Sequence, residues 1–256
     1  MEKHAIGRID RIPGNCNILI VNLILLTQDD FTSTDQVCLT GRRHTHVRAV
    51  LKAGPGDLVS CGMVNGNMGY GKIQDMAPRK LVMQVTLHQP PPAAIPLILV
   101  LALPRPKMLR RIIQNVTALG VKQIFLVNSW RVEKSFWQSP FLDDDNLVQY
   151  QRLGLEQAKD TVMPEISKKR FFSRFVKNEL PAICSRTRCI TAHPKTDQVC
   201  PAGVNQPVTL AVGPEGGWID LEVKTLEDIG FITCAMGQRI LTVEAAVTSL
   251  ISRLFV

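Results

Sequence analysis

The stretch Thr209–Ala246, TLAVGPEGGWIDLEVKTLEDIGFITCAMGQRILTVEAA, decides how the rest of the chain is read. Leu210-Ala211-Val212 is an apolar run that breaks into Gly213-Pro214-Glu215-Gly216-Gly217. A helix-like segment, Leu221–Ile229, follows. A second apolar run, Phe231–Met236, then ends at Gly237, just before Gln238-Arg239-Ile240-Leu241. Two strand ends closed by glycine predict two loops meeting over one small-molecule site. Gly213, Gly216 and Gly217 let a ligand or a neighbouring segment approach closely and permit φ > 0.

Upstream, the same alternation continues. Leu97–Leu103 reads as a buried strand, Lys107–Leu119 as an amphipathic helix ending at Gly120, and Gln123–Val127 as a strand. Leu147–Val162 reads as a long helix stopped before Pro164, Phe175–Cys184 as a further helical piece, and Cys189–Ala192 as a strand ending at His193-Pro194. A last helix starts near Val243. This pattern predicts an α/β domain over residues 96–256, with a largely parallel sheet covered by helices. Ligands bind such sheets at the C-terminal ends of strands. His193-Pro194, Gly213-Pro214 and Met236-Gly237 therefore become the candidate site.

His88–Pro96, with four prolines, is a stiff boundary. Before it, residues 1–88 show short runs (Val37–Leu39, Asp57–Val64, Gly69–Gln74, Leu81–Leu87) split by turn residues, which predicts a small β-barrel. A short helix, Arg42–Lys52, stops at Gly54-Pro55-Gly56. Its polar face carries Arg42, Arg43, Arg48 and Lys52, either a solvated face or a phosphate-contacting patch. Gly66–Lys72 imitates a phosphate-binding loop, but Ile73 stands where the Mg²⁺-binding hydroxyl belongs and Pro78 interrupts the required helix. A glycine-rich hairpin is the better reading.

The 256 residues are 45% hydrophobic and 20% charged, ordinary for a globular protein, with a net charge of +8 that permits an acidic partner such as nucleic acid. Seven cysteines, an odd number with no CxxC pair, favour a reducing compartment over a disulfide framework. No metal site is expected: Cys38, His44 and His46 lack a fourth ligand, and Cys184 and Cys189 lack partners at zinc spacing. The opening MEKHAIGRIDRIPG lacks the apolar region of a secretory signal. The apolar stretches Ile18–Leu26 and Ile95–Leu103 are too short to span a bilayer. The expectation is a cytoplasmic protein without a membrane partner. No G-x-G-x-x-G, HExxH, GxSxG or intact Walker motif appears, so Rossmann, zinc-protease, hydrolase and P-loop chemistry lose support. Alone, GPEGG reads as a tight strand-to-helix turn, Thr242 as a helix cap and Glu244 as a first-turn carboxylate.

Several motifs in order carry a resemblance over nearly the whole chain. GPEGG, a helix, Gly230-Phe231, then Gly237-Gln238-Arg239-Ile240-Leu241 and Glu244 resemble the C-terminal signature of the RsmE-type 16S rRNA uridine-N3 methyltransferases, a SPOUT-class family. Leu103–Lys107, Ala118–Val121, Glu156-Gln157 and Met163–Ile166 resemble its further motifs. His46, Val50-Leu51-Lys52 and Gly54-Pro55-Gly56 resemble those of its PUA-like N-terminal barrel. Asn115, Ala118, Lys159-Asp160 and Thr242-Val243 depart from it.

The resemblance implies a C-terminal trefoil knot, a homodimer, S-adenosyl-L-methionine as cofactor and 16S rRNA of the small ribosomal subunit as substrate. It places the cofactor against His193, Pro194, Gly213, Pro214, Glu215, Gly216, Gly217, Met236, Gly237, Ile240 and Leu241. It gives Arg239 and Glu244 catalytic roles, Arg239 as cation and Glu244 as the group that orients Arg239 or the loop. RNA would lie on Arg8, Arg11, Arg42, Arg43, His46, Arg48 and Lys52. The alternatives are a non-catalytic RNA-binding protein of the same fold and a SPOUT enzyme acting on another RNA. Trp130, Phe136 and Trp137 either stack on a base or pack an interface.

Overall fold

A computed structural model of the chain describes residues 18–255. Arg8 and Arg11 lie outside the described residues. The chain divides into two compact units, one running up to Met63 with Asn67–Gln89, the other holding Val64–Gly66 with the chain from Pro90 onward.

In the first unit β1 (Ile18–Leu26) is followed by β2 (Gln36–Thr40), α1 (Gly41–Thr45), a π-helical turn over His46–Val50, β3 (Leu58–Met63), β4 (Met68–Met76) and β5 (Lys80–Gln89). They form one curled five-stranded sheet, order β1-β3-β4-β5-β2. β1 pairs parallel with β3 and the other pairs are antiparallel. The period-2 pattern of β5 explains its pitch: Leu81, Met83 and Val85 are buried while Lys80, Gln84 and Thr86 face out. The apolar run Ile18–Leu26 is thus a strand. Gly69–Lys72 lie within β4, so the imitation phosphate loop is part of a hairpin.

The second unit continues with β6 (Leu97–Ala102), α2 (Pro106–Ala118), β7 (Gln123–Val127), α3 (Asp144–Ala158), β8 (Glu165–Lys169), α4 (Phe172–Asn178), α5 (Leu180–Ile183), β9 (Arg188–Ala192), β10 (Val208–Val212), α6 (Asp220–Glu227), β11 (Ile232–Cys234) and α7 (Val243–Phe255). Its six-stranded sheet has the order β11-β9-β10-β6-β7-β8, with every pair parallel. β10 is buried at every position and β6 at all but one, as expected for strands covered on both faces. α2 opens with Pro106 in its first turn and buries Leu109, Ile112, Ile113 and Val116, an i, i+3, i+4, i+7 stripe.

Three parts of this unit differ from the sequence expectation: the helical piece expected over Phe175–Cys184 is two helices, α4 and α5, with Pro181 in the first turn of α5, where it cannot continue the hydrogen bonding of α4, and α3 and β8 differ as well. α3 starts and ends earlier than Leu147–Val162 because Asp144 and Asp145 fill its first turn and Lys159, at φ 53°, closes it in the left-handed conformation. Asp160 beyond it is buried and pairs with Lys122 Nζ at 2.5 Å. β8 carries no apolar signal because it is an edge strand, where Lys168 and Lys169 are tolerated and blunt edge pairing.

The segment between β9 and β10 crosses the end of the chain. Ala235 N donates to Gln198 O and Cys200 N to Ala235 O, both at 2.8 Å; Gly203 N and Val204 N donate to Arg253 O and Leu254 O, and Arg253 Nε to Cys200 O at 2.6 Å. Among the described residues no helix is long and apolar enough to cross a membrane, and no group of three His, Cys, Asp or Glu is placed to hold a metal ion.

Candidate functional site

Three neighbouring strands end at one level. The parallel register sets Val212 of β10 against Ala192 of β9, and Ala192 against Cys234 of β11. The loops that leave these ends enclose a cavity of about 310 Å³, at the small end of the ~300–1,000 Å³ typical of ligand pockets. Of the residues singled out from the sequence, His193, Pro194, Gly213–Gly217, Met236, Gly237, Arg239, Ile240 and Leu241 all line it. Trp218, Lys195, Cys234 and Val243 line it too, although neither motif nor spacing points to them.

The first loop is held from several sides. Arg131, just beyond β7, donates through Nη1 to Gly216 O, and its stem lies so close that a Cβ on Gly216 would stand 3.0 Å from Arg131 Cδ. Glu215 Oε1 accepts from Arg105 N at 2.9 Å, at the entry to α2. Gly217 N returns to Pro214 O at 2.7 Å. Behind the loop the buried Glu222 accepts from Ile219 N at 3.0 Å, as an N3 carboxylate capping α6, and from Trp130 N at 2.8 Å. Trp218 is buried, its ring 5.5 Å from Phe172 and its Cδ1 edge against Gly213. These partners sit about 85–110 positions away, so periodicity and spacing could not reveal them.

The wall of the cavity carries polar atoms with no hydrogen-bond partner among the described residues. Trp218 Nε1 and His193 Nδ1 are both buried and unpartnered. Native interiors rarely leave such groups unsatisfied, so each is a candidate contact for a bound molecule. Burial holds the His193 imidazole below its ordinary pKa, helped by Lys195 and opposed by Asp220 and Glu227. The ring is therefore neutral at neutral pH, able to accept or donate at Nδ1 according to its tautomer.

The second loop, Met236–Leu241, is exposed from Gly237 onward, with Ile240 86% and Leu241 39% accessible. Arg239 projects from it beside the cavity and has no acidic partner among the described residues. Glu244 does not line the cavity and faces Arg111 of α2 at 4.0 Å. Thr242 caps α7 through Ala245 N at 3.4 Å.

The basic residues of the first unit are not equivalent. Arg42, Arg48 and Lys52 are exposed. Arg43 instead forms a two-pronged pair with Asp30, Nη1 to Oδ2 at 2.6 Å and Nη2 to Oδ1 at 2.5 Å, and also donates to Leu25 O. Burial pushes the Asp30 carboxyl up, but the Arg43 and Thr27 hydrogen bonds outweigh it and leave the pKa below its ordinary value. Arg43 thus braces α1, and its charge is already compensated. His46 is half-buried, with Nε2 unpartnered.

Residues 91–255 match the RNA methyltransferase domain family. The chain is 30% identical over 233 residues to the ribosomal RNA small subunit methyltransferase E of Treponema pallidum, covering 88% of this chain and 87% of that protein. It is 25% identical over 222 residues to the protein of the same name from Synechocystis, covering 83% and 70%. The crystal structure of a ribosomal RNA small subunit methyltransferase E from Neisseria gonorrhoeae, bound to S-adenosyl methionine, superimposes with a TM-score of 0.67 at 19% identity, over 91% of this chain and 95% of that one. At that identity the likeness concerns the fold.

Proposed function

The chain belongs to the RNA methyltransferase domain family, among the relatives called ribosomal RNA small subunit methyltransferase E, and we propose that it transfers a methyl group from S-adenosyl-L-methionine to a uridine of small-subunit ribosomal RNA, at N3. The observation that carries this reading is the cavity at the level ends of β9, β10 and β11. The cofactor fits it on chemical grounds. Its walls are mostly apolar and backbone, suited to a purine ring, and the unpartnered Trp218 Nε1 and His193 Nδ1 offer contacts for its polar groups. Gly213–Gly217 and Met236–Leu241 would hold it from two sides.

When bound, the cofactor supplies a methyl group activated by a sulfonium. The remaining work falls to the chain. Uridine N3–H is a weak acid, so the ring is deprotonated before or during attack on the methyl group. Arg239, exposed beside the cavity, supplies a cation for the negative charge on O2 and O4, the kind of electrostatic stabilisation whose removal costs roughly 10²–10³ in rate. The pinned first loop keeps one wall fixed before substrate arrives, and alignment of two reactants contributes up to ~7–11 kcal/mol in favourable cases. Glu244 acts at a distance, on Arg111 and the first turn of α7.

The proposal extends to the fold and the partners. The strap between β9 and β10, bonded to Ala235 and to the end of α7, supports a trefoil knot. The curled sheet of the first unit supports a PUA-like RNA-binding barrel over residues 1–88, with Arg42, Arg48 and Lys52 as phosphate contacts. Exposed Ile240 and Leu221 support a homodimer, since they leave apolar surface beside the site. The free thiols of the described cysteines suit a cytoplasmic setting.

The test has two arms. Calorimetry with S-adenosyl-L-methionine should give saturable binding, and rRNA from cells lacking the protein should lose one N3-methylated uridine. An unmodified mapping pattern in both strains would sink the uridine reading. Arg239→Ala should bind cofactor normally yet turn over roughly 10²–10³ times more slowly.

A further inference from the structure

The second unit carries a basic and aromatic surface outside the cavity. β7 and β8 are adjacent parallel strands, and Asn128 N donates to Lys169 O at 3.0 Å, so the chain leaves both strand ends at one level. Two residues beyond these points stand Trp130, 80% exposed, and Phe171, 71% exposed. Neither is on a loose tether. Trp130 N is fixed by the buried Glu222, its neighbour Arg131 is bonded to Gly216 O, and Phe171, just before α4, accepts through its carbonyl from Phe175 N at 3.0 Å. Arg170, next to Phe171, lies 5.4 Å over the ring of Trp137, whose Nε1 donates to Asn128 Oδ1 at 2.8 Å. Two large aromatics held exposed on fixed backbone forgo the stabilisation that burial would give them.

This surface carries three cations, Arg170, Arg174 and Lys177. Arg174 and Lys177 lie on the exposed face of α4 at i, i+3, and exposed Phe171 stands immediately before its first turn. Among the described residues no carboxylate pairs with Arg170, Arg174 or Lys177. The nearby Asp144 and Glu179 are engaged by Lys168 and Lys169. Aromatic faces set beside unpaired cations are the chemistry of single-stranded nucleic acid binding, in which bases stack and phosphates are neutralised. The surface also runs into the cavity wall, because Phe172 stacks on Trp218 and Arg131 holds Gly216.

We propose that Trp130, Phe171, Arg170, Arg174 and Lys177 form a platform for single-stranded RNA at the ends of β7 and β8, which stacks bases flanking the target and feeds the strand toward the cavity. This rests on the proposed function for its substrate class, but binding to it needs no cofactor. The experiment uses the full chain and a fluorescent single-stranded oligoribonucleotide, followed by anisotropy across a salt series, with calorimetry and light scattering on the same samples. Trp130→Ala and Phe171→Ala should each weaken binding by roughly 5- to 150-fold, the range that ~1–3 kcal/mol per stacked base implies. Reversing both charges, Arg174→Glu with Lys177→Glu, should flatten the salt slope by at least ~1.4, since each phosphate neutralised on a single strand adds ~0.7 to it. Cofactor affinity should stay unchanged in all three. Unaltered RNA affinity and slope in variants that still bind cofactor would overturn the platform. Conversion of a dimer to monomers by the aromatic variants would also overturn it, reassigning the surface to a second copy of this chain. If the parent chain binds no S-adenosyl-L-methionine, the methyltransferase reading fails while the anisotropy series still decides the platform.

Discussion

The two glycine-bearing loops of the cavity look alike in sequence and differ in mechanics. Gly213–Gly217 is tied to Arg131, Arg105 and Pro214, and backed by Trp218 and Glu222. Met236–Leu241 makes no hydrogen bond among the described residues, bends at Gly237 with φ 122°, and leaves Ile240 almost fully exposed. One wall of the site is therefore preorganised, so its ordering entropy is not charged against binding. The other has few contacts, the condition under which a ligand or partner shifts a population toward one arrangement.

That contrast can be broken at several points. Glu222→Ala should do the most damage, because it removes one buried carboxylate that accepts from two backbone N–H groups at once, at roughly 1.5–3 kcal/mol for each bond. Denaturant unfolding reads the loss, and Glu222→Gln should recover part of it. If both variants unfold like the parent, the first loop is not held from behind.

Gly213→Val comes next. Its Cβ would stand 3.1 Å from Trp218 N and 3.2 Å from Cδ1, and overpacking of this kind costs ~1–3 kcal/mol. Calorimetry should show S-adenosyl-L-methionine affinity falling by roughly 5- to 150-fold.

Gly237→Ala should cost ~1 kcal/mol, because nothing lies within 4 Å of the added Cβ and only the positive φ resists it. A loss as large as that at Gly213, measured by thermal unfolding, would show that the second loop is as constrained as the first.

The smallest effect is a pH dependence. His193 faces Lys195, Asp220 and Glu227, and its folded pKa lies below the ordinary 6.5. Its contribution to stability is complete above pH 6.5. It declines as pH falls below that, because the unfolded imidazole binds a proton that the buried one resists. His193→Gln should flatten that limb of the stability–pH curve, read by denaturant titration between pH 7 and 5. An identical slope in the variant would remove His193 as its source.

Most of the parallel sheet was legible because its strands are continuous apolar runs closed by Gly or Pro, and the cavity-lining stretches were legible because they follow those closures. The edge strand β8 was not, since a sheet edge needs no apolar pattern and Glu165–Lys169 shows none. Glu244 was legible as a first-turn carboxylate, but its partner Arg111 lies on another helix and no spacing rule reaches it. Arg43 stood in a basic run that reads as one surface, and only the fold shows Asp30 meeting it.

By itself, the order of residues determined the α/β alternation, the boundary near Pro90–Pro96, and the glycine breaks where chain could turn and approach a ligand. Those are local matters, settled by side-chain period and by which residues can occupy a turn. Tertiary structure decided which breaks meet, through the shared register of Val212, Ala192 and Cys234. It also decided that Arg131 and Glu222 stiffen one loop and leave the other open. Such contacts join residues 85 and 92 positions apart, and they exist only once the parallel sheet has brought its strand ends to one level.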